Sequence, residues 1–186
     1  MMGIFTKRKL STNQRLNIGQ DLFYELKDMI MEYLDIKTLP SITATVSDNP
    51  DVLGIHFMRQ YSPLKFNFYV GHRIYSSDTD HDSEYYYHIF TYIDNIYNKF
   101  IKNKYIFEIK VIMSYVHELT HYRQALRRDV NYMNRDSYIQ PVLEYSTYRS
   151  QPIEREARTK ASLFVILNFF TLLKVIKKVN KRYGGK

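Results

Sequence analysis

The sequence contains no cysteine and no tryptophan, and only six glycines and five prolines occur among its 186 residues. Without cysteine the chain has no disulfide, no thiolate zinc cluster, no iron–sulfur centre and no cysteine nucleophile. Any metal that it binds must therefore be held by His, Asp or Glu. The 18 tyrosines and 11 phenylalanines provide the aromatic packing that tryptophan would otherwise share.

The chain also lacks a hydrophobic run of the roughly 20 residues that cross a bilayer. Its longest apolar stretch, residues 161–176, is interrupted by Ser162, Asn168, Thr171 and Lys174. We expect this stretch to form a buried core helix, and contact between the basic C-terminal helix and a membrane is the alternative. A secretory signal has an apolar segment after its basic N-terminus, and none follows the basic N-terminus here. A cytoplasmic location is therefore predicted.

Acidic residues are outnumbered, since 27 Lys and Arg against 19 Asp and Glu give a formal net charge of +8. Such an excess favours nucleic acid or anionic lipid as a partner. The basic clusters are residues 7–9, 127–128 and 177–182. Two of the three lie at the ends of the chain, and no aromatic-interleaved recognition motif joins them. Nucleic-acid binding is therefore a minor hypothesis, and the sequence does not indicate an oligomeric state.

No repeat, low-complexity tract or linker divides the chain, so residues 1–186 are predicted to form a single domain. Apolar spacing predicts a helix from about Thr12 to Leu34, opened by a capping box of Ser11 and Gln14. Short alternating apolar pieces between residues 38 and 77 predict a small sheet. Further helices are predicted at about 83–100, 106–128 and 152–181. The predicted fold class is α+β, mostly helical, with a three- or four-stranded sheet.

The helix predicted at 106–128 carries the sequence His117-Glu118-Leu119-Thr120-His121. Four residues of α-helix advance about 400°, so the two imidazoles lie about 40° apart on one face, within reach of a single ion. Glu118 is rotated about 100° from His117, which keeps it beside the metal rather than among its ligands. This HExxH pattern is typical of zincins, in which two His bind Zn²⁺ and the Glu is the general base. The alternative is a surface helix with solvated polar residues.

An apolar stripe beside the two histidines favours a half-buried active-site helix; its members are Ile112, Val116, Leu119, Tyr122 and Leu126. A metzincin is excluded, because Gln124 and Arg127 stand where its glycine and third histidine would be. No histidine follows His121, so a carboxylate is expected as the third ligand. Five carboxylates are candidates: Asp129, Asp136, Glu144, Glu154 and Glu156. The last two open a predicted helix after Pro152, where a rigid element can aim a carboxylate at the motif helix.

The other histidines are expected to be structural or exposed: His56, His72, His81 and His88. The residues 117–124 (HELTHYRQ), followed later by 151–157 (QPIEREA) and the apolar 161–164 (ASLF), resemble the small bacterial and phage metallopeptidases related to the ImmA/IrrE group. The resemblance implies Glu154 as the third zinc ligand, three residues before Ala157, with Glu156 as a helper. Two positions differ from the family pattern: Thr120 replaces a common glycine, and Arg158 replaces a common asparagine.

The resemblance implies a zinc-dependent metallopeptidase, a hydrolase that cleaves peptide bonds of a protein or peptide substrate. Zinc lowers the pKa of its bound water from about 15.7 to about 7, and Glu118 accepts the proton of that water as the general base. A second stabiliser of the oxyanion is expected from Tyr145, Tyr148 or Arg149. The segment 129–151 is predicted either to wall the substrate or to be an ordinary loop.

The competing function is a catalytically silent protein with a zincin-like fold. In that case the zinc would be structural, and the basic surface would contact nucleic acid or a protein partner. The net charge of +8 favours this alternative, whereas the HExxH motif favours the enzyme.

Overall fold

A computed structural model describes residues 10–45, 54–60, 67–70, 73–76, 85–100, 106–127 and 145–184. Within these ranges lie six helices: α1 Thr12–Leu34, α2 Ile93–Phe100, α3 Ile106–Leu126, α4 Tyr145–Ser150, α5 Pro152–Leu167 and α6 Phe169–Arg182. The same ranges contain five short strands: β1 Ser41–Thr45, β2 Gly54–Gln60, β3 Asn67–Val70, β4 Arg73–Ser76 and β5 Tyr85–Tyr92.

The strands pair in two groups. β5 lies between β1, to which it runs parallel, and β2, to which it runs antiparallel. In this register Ile89 of β5 is opposite Ile42 of β1 on one side and His56 of β2 on the other. β3 and β4 form a separate antiparallel pair. The backbones of β2 and β5 lie beside α3.

The prediction of an α+β fold with a small three- or four-stranded sheet is wrong for the part of the chain whose side chains the structure describes. That part is 84% helical and contains no sheet. For the five strands the structure describes the backbone, and it describes side chains only at isolated positions such as Ile42 and Thr91. The physical reason is that alternating residues satisfy a local strand pattern, whereas the described core is built by apolar faces of helices packed on one another. The described molecule is mostly helical.

The helix predicted at about 83–100 is wrong over its first half. Residues Tyr85–Tyr92 form β5, and α2 begins only at Ile93. The segment is rich in aromatic and β-branched residues, which favour strands. Its backbone also pairs on both sides with strands distant in sequence, and this pairing outweighs the helix-like spacing of its apolar residues.

The helix predicted at residues 12–34 is confirmed, together with its capping box. The Ser11 hydroxyl accepts a hydrogen bond from the Gln14 amide (3.2 Å), and Gln14 Oε1 accepts one from the Ser11 amide (3.0 Å). The buried face of α1 recurs every three or four residues, at Ile18, Leu22, Leu26, Ile30 and Leu34. This face packs against α3 and α6. A buried hydrogen bond from the Tyr115 hydroxyl to the Gly19 carbonyl (3.1 Å) ties α3 to α1.

The helix predicted at about 106–128 is confirmed as α3, within two residues at its end.

The prediction of one continuous helix at 152–181 is wrong, because the helix breaks at Asn168 into α5 and α6, which meet at 83°. The Asn168 side-chain amide donates to the Phe164 carbonyl (2.9 Å), and an asparagine bonded in this way competes with helix continuation. The bend lets α5 bury Phe164 while α6 buries Leu172 and Ile176.

Among the described residues no single helix is long and apolar enough to cross a membrane. The bent pair formed by α5 and α6 passes the same test by length and composition.

The apolar stretch 161–176 has a buried side and an exposed side. The expectation of a buried core helix holds for residues such as Ala161 and Phe164, whereas residues such as Ile166 and Phe170 are exposed.

Candidate metal centre

Packing of α5 against α3 brings the two halves of the site together. The Nε2 atoms of His117 and His121 lie 3.1 Å apart, with their ring planes at 87°. Glu154, in the first turn of α5, places Oε2 3.4 Å from His117 Nε2 and Oε1 3.3 Å from His121 Nε2. One donor atom from each of the three residues lies within 4.8 Å of the other two. The structure thus gathers the two histidines of the motif and Glu154, the carboxylate that the resemblance implies as the third ligand.

The chemistry and spacing of these donors fit zinc. Two ligand atoms bound tetrahedrally to one zinc at about 2.0–2.1 Å lie roughly 3.3 Å from each other. The observed separations are 3.1, 3.4 and 3.3 Å, the last two being measured to different oxygens of the Glu154 carboxylate. Two imidazoles and one carboxylate are also a ligand set of catalytic zinc sites, which keep a fourth position for water.

Access to this cluster is one-sided. The side chains of Glu154 and His121 are 2% and 8% exposed, whereas His117 is 18% exposed. A ligand entering from solvent would therefore approach beside His117. A metal ion held by these three residues would keep one side toward solvent, unlike the ion of a closed structural site, which four protein ligands surround.

The charges of the cluster are strongly coupled. Burial alone would raise the pKa of Glu154, but its hydrogen bonds with His117 and His121 outweigh burial and hold the pKa well below its ordinary range. Burial alone would lower the pKa of His121, but the Glu154 carboxylate beside it outweighs burial and raises that pKa. In the metal-free protein an ionised Glu154 thus favours a proton on His121. A zinc ion bound here would have to displace that proton, since imidazole binds metals in its neutral form.

Glu118 lies next to the histidine pair and outside the ligand cluster. The residue is 6% exposed, and burial raises the pKa of its carboxyl despite the opposing charges of His117 and His121. A general base works best when its pKa lies near the working pH, so a raised pKa suits a carboxylate that must take up and release a proton near neutrality.

Gln124 has a role in the site that the sequence did not reveal. Its side-chain amide nitrogen donates to the Ile153 carbonyl (3.1 Å) and to Glu156 Oε2 (2.9 Å), so the amide oxygen must face His121. That oxygen lies 2.8 Å from His121 Nδ1, which is therefore the donor. In the neutral imidazole this leaves Nε2 without a proton, on the side of the ligand cluster. The available signal was the position of Gln124, one helical turn after His121.

Glu156 is held away from the cluster. Its Oε1 accepts a hydrogen bond from Arg123 (3.0 Å) and its Oε2 accepts the one from Gln124. Because Glu154 and Glu156 are two residues apart on a helix, they point about 200° apart and cannot both face the histidines. The described geometry therefore favours Glu154 as the third ligand and gives Glu156 the task of anchoring α5 to α3.

The apolar stripe beside the histidines is confirmed at four of its five positions, since Ile112, Val116, Leu119 and Tyr122 are buried; Leu126 is 45% exposed. Arg149 is exposed on α4, and the structure describes no side chain for Tyr145 or Tyr148. Several predicted residues lie outside the described ranges: Asp129, Asp136, Glu144, His72 and His81. His56 and His88 lie on β2 and β5, which are described by backbone there.

Comparison with protein-family models, with curated proteins and with solved structures finds no match to this chain. Its function must therefore be inferred from the geometry of its own residues. Within the described ranges, His117, His121 and Glu154 form the group on which that inference rests.

Were zinc bound at this cluster, replacing Gln124 by alanine would weaken the binding by about 10- to 100-fold, the usual cost of removing the partner that orients a ligating histidine. Competition with a chromophoric chelator at neutral pH measures the affinity. The matched control is Arg127→Ala on the same helix, which removes only an exposed ion pair with Asp35 (3.1 Å) and should leave affinity unchanged. Equal affinities for Gln124→Ala and the wild type would contradict the orienting role.

Proposed function

We propose that this chain is a zinc-dependent metallopeptidase, with zinc held by His117, His121 and Glu154 and with Glu118 as the general base. The observation that carries the proposal is the convergence of two imidazoles from α3 and one buried carboxylate from α5 at the spacing of zinc ligands. The chain order of these groups agrees with the resemblance to the ImmA/IrrE-type metallopeptidases. We propose a protein or peptide substrate and a cytoplasmic site of action.

Zinc in such a site would act as a Lewis acid and would lower the pKa of a bound water to about 7. Glu118 accepts a proton from the attacking water and delivers it to the leaving amine nitrogen, so that the carboxylate is restored after each cycle. Burial of Glu118 supports the first step, because it raises the pKa of the carboxyl and so makes the carboxylate a stronger base. Gln124 holds His121 Nδ1 and thereby aims Nε2 at the cluster. Glu154 supplies the negative charge that offsets the cation.

Purified protein tests the proposal. After removal of metal with a chelator and addition of zinc, we expect about one equivalent of zinc in the wild type and in Glu118→Gln, and essentially none in the double variant His117→Ala/His121→Ala. Hydrolysis is then sought as new protein N-termini that appear when wild-type protein, but not Glu118→Gln, is incubated with a denatured protein mixture. If neither the wild type nor Glu118→Gln binds zinc, the proposal is wrong. Zinc binding without new N-termini would favour the catalytically silent alternative.

A further inference from the structure

The corner where α5 ends and α6 begins exposes a group of large apolar side chains. Five of the eight exposed large hydrophobic residues in the described ranges belong to it: Leu163 (43%), Ile166 (68%), Leu167 (71%), Phe169 (42%) and Phe170 (79%). We name these five residues the apolar corner. Single exposed apolar residues are ordinary, but several large apolar side chains exposed at one place are typical of a site of interaction.

The apolar corner arises from the break at Asn168. Each helix already buries one face, which for α5 includes Ala161 and Phe164 and for α6 includes Leu172 and Ile176. The corner residues lie on the remaining, outward surface of both helices. The Phe169 and Phe170 rings pack on each other, with centroids 5.7 Å apart. The outward surface is therefore apolar at the one place where the two helices meet.

A row of lysines continues from the apolar corner along α6. Phe170, Lys174, Lys177 and Lys181 are spaced by four, three and four residues, which places them within about 60° of one another around the helix. All four are exposed, and among the described residues the three lysines make no ion pair. We name them the lysine row. By contrast Lys178 and Arg182, on the side of α6 next to α1, pair with Glu25 (2.7 Å) and Asp21 (2.8 Å).

We propose that the apolar corner and the lysine row together form a surface that binds an anionic lipid bilayer. The apolar corner inserts at the boundary between headgroups and acyl chains, and the lysine row contacts the phosphate headgroups. Apolar side chains flanked by cations are the composition of helices that lie in a membrane interface, and the net charge of +8 adds long-range attraction to anionic lipid.

Two other occupants fit the surface less well. A nucleic acid would use the lysine row but would leave the apolar corner in water. A second copy of this chain, meeting the first in a twofold arrangement, would cover the apolar corner but would bring two lysine rows close together, where like charges repel. Of these three occupants, the anionic bilayer is the one that satisfies both parts of the surface at once.

The membrane-binding surface and the candidate metal centre share one helix. Glu154 lies in the first turn of α5 and Leu167 is its last residue, so about 20 Å of helix separates them. A bilayer bound at the apolar corner would therefore leave the metal centre up to about 20 Å from the lipid and open to its substrate. The two proposals stand independently, because binding to lipid requires no zinc.

Co-sedimentation of the full chain with vesicles at low salt tests the surface. We expect binding to vesicles of phosphatidylcholine and phosphatidylglycerol (about 3:1) to be at least about tenfold stronger than binding to phosphatidylcholine alone. The variant Ile166→Ser/Phe170→Ser should lose about tenfold or more in affinity for the anionic vesicles. The variant Lys174→Gln/Lys177→Gln/Lys181→Gln should lose the preference for anionic lipid. Metal-free and zinc-loaded protein should bind equally.

Matched controls distinguish an effect of this surface from an effect of net charge or of an exposed aromatic side chain elsewhere. Tyr24→Ser removes an exposed aromatic side chain (66%) on α1 and should leave binding unchanged. Lys27→Gln/Lys37→Gln/Lys99→Gln lowers the net charge of +8 by three, as the variant of the lysine row does, and should keep most of the binding. Circular dichroism checks that every variant folds.

Several results would overturn the proposal. Failure of the wild type to sediment with anionic vesicles at low salt is one, and an equal loss of binding in the two lysine variants is another, since net charge alone would then explain it. If Ile166→Ser/Phe170→Ser instead converts a dimer to a monomer in sedimentation equilibrium, without vesicle binding by the wild type, the apolar corner is a contact between copies. Salt-sensitive nucleic-acid binding that depends on the lysine row, without vesicle binding, would assign the row to nucleic acid.

Discussion

Glu118→Gln is expected to lower kcat/KM for peptide hydrolysis by about 10²- to 10⁴-fold while the protein keeps its zinc. Glutamine has nearly the same shape as glutamate but cannot accept the proton of the attacking water. Glu118 lies outside the cluster formed by His117, His121 and Glu154, so its replacement leaves all three proposed ligands in place. The measurement pairs the hydrolysis rate on a cleaved peptide with the zinc content of the same sample.

The matched control for this prediction is Glu108→Gln. Glu108 is also a buried glutamate of α3 (3% exposed), and its carboxylate accepts a hydrogen bond from Asn180 (2.6 Å). It lies about 15 Å along the helix from Glu118, so its replacement should leave hydrolysis nearly unchanged. Full activity in Glu118→Gln would remove this residue from the mechanism, and loss of zinc from that variant would make Glu118 a ligand instead of a base.

Glu154→Gln is expected to weaken zinc binding by roughly 100-fold or more, beyond the loss of about 10- to 100-fold that follows removal of an outer partner. The reason is that Glu154 is the only carboxylate in the described cluster, 3.4 and 3.3 Å from the two imidazoles. Its replacement removes the negative charge that would offset the cation and puts a weaker amide oxygen in the place of the proposed carboxylate ligand. Competition with a chelator of known affinity measures the change.

Glu156→Gln provides the comparison, because it alters a carboxylate only two residues away on the same helix. This side chain bonds Arg123 and Gln124 and does not face the histidines, so we expect the affinity to fall by no more than about 10- to 100-fold. Circular dichroism of the metal-free variants shows whether each is folded. A larger loss in Glu156→Gln than in Glu154→Gln would exchange the roles of the two residues.

Local features of the chain could be predicted because their causes are local. His117 and His121 share a face since they are four residues apart on a helix, and no tertiary contact is needed for that. The capping box of Ser11 and Gln14 and the stripe of α1 likewise depend on neighbours within a few residues. The absence of cysteine and the absence of histidine after His121 narrowed the remaining ligand to a carboxylate.

The predictions made from the sequence are wrong where segments distant in sequence determine the local structure. Tyr85–Tyr92 has helix-compatible spacing, but it becomes a strand because β1 and β2 pair with it. The predicted sheet of the α+β fold is absent from the part whose side chains are described, since helices supply the core there. The last helix breaks at Asn168, where the Asn168 side chain bonds the Phe164 carbonyl and each half buries its own face.

By itself the sequence determined that any metal must be held by His, Asp or Glu, and it placed two of the proposed ligands on one turn of one helix. Between the two candidate carboxylates that the structure describes, Glu154 and Glu156, only the tertiary structure decided which one faces them. Glu154 and Glu156 are chemically alike and two residues apart, and the packing of α5 on α3 turns the first toward the imidazoles and the second toward Arg123 and Gln124. That choice depends on the rotation of one helix against another, which the spacing of the residues does not give, and in the sequence only the resemblance to a family implied it.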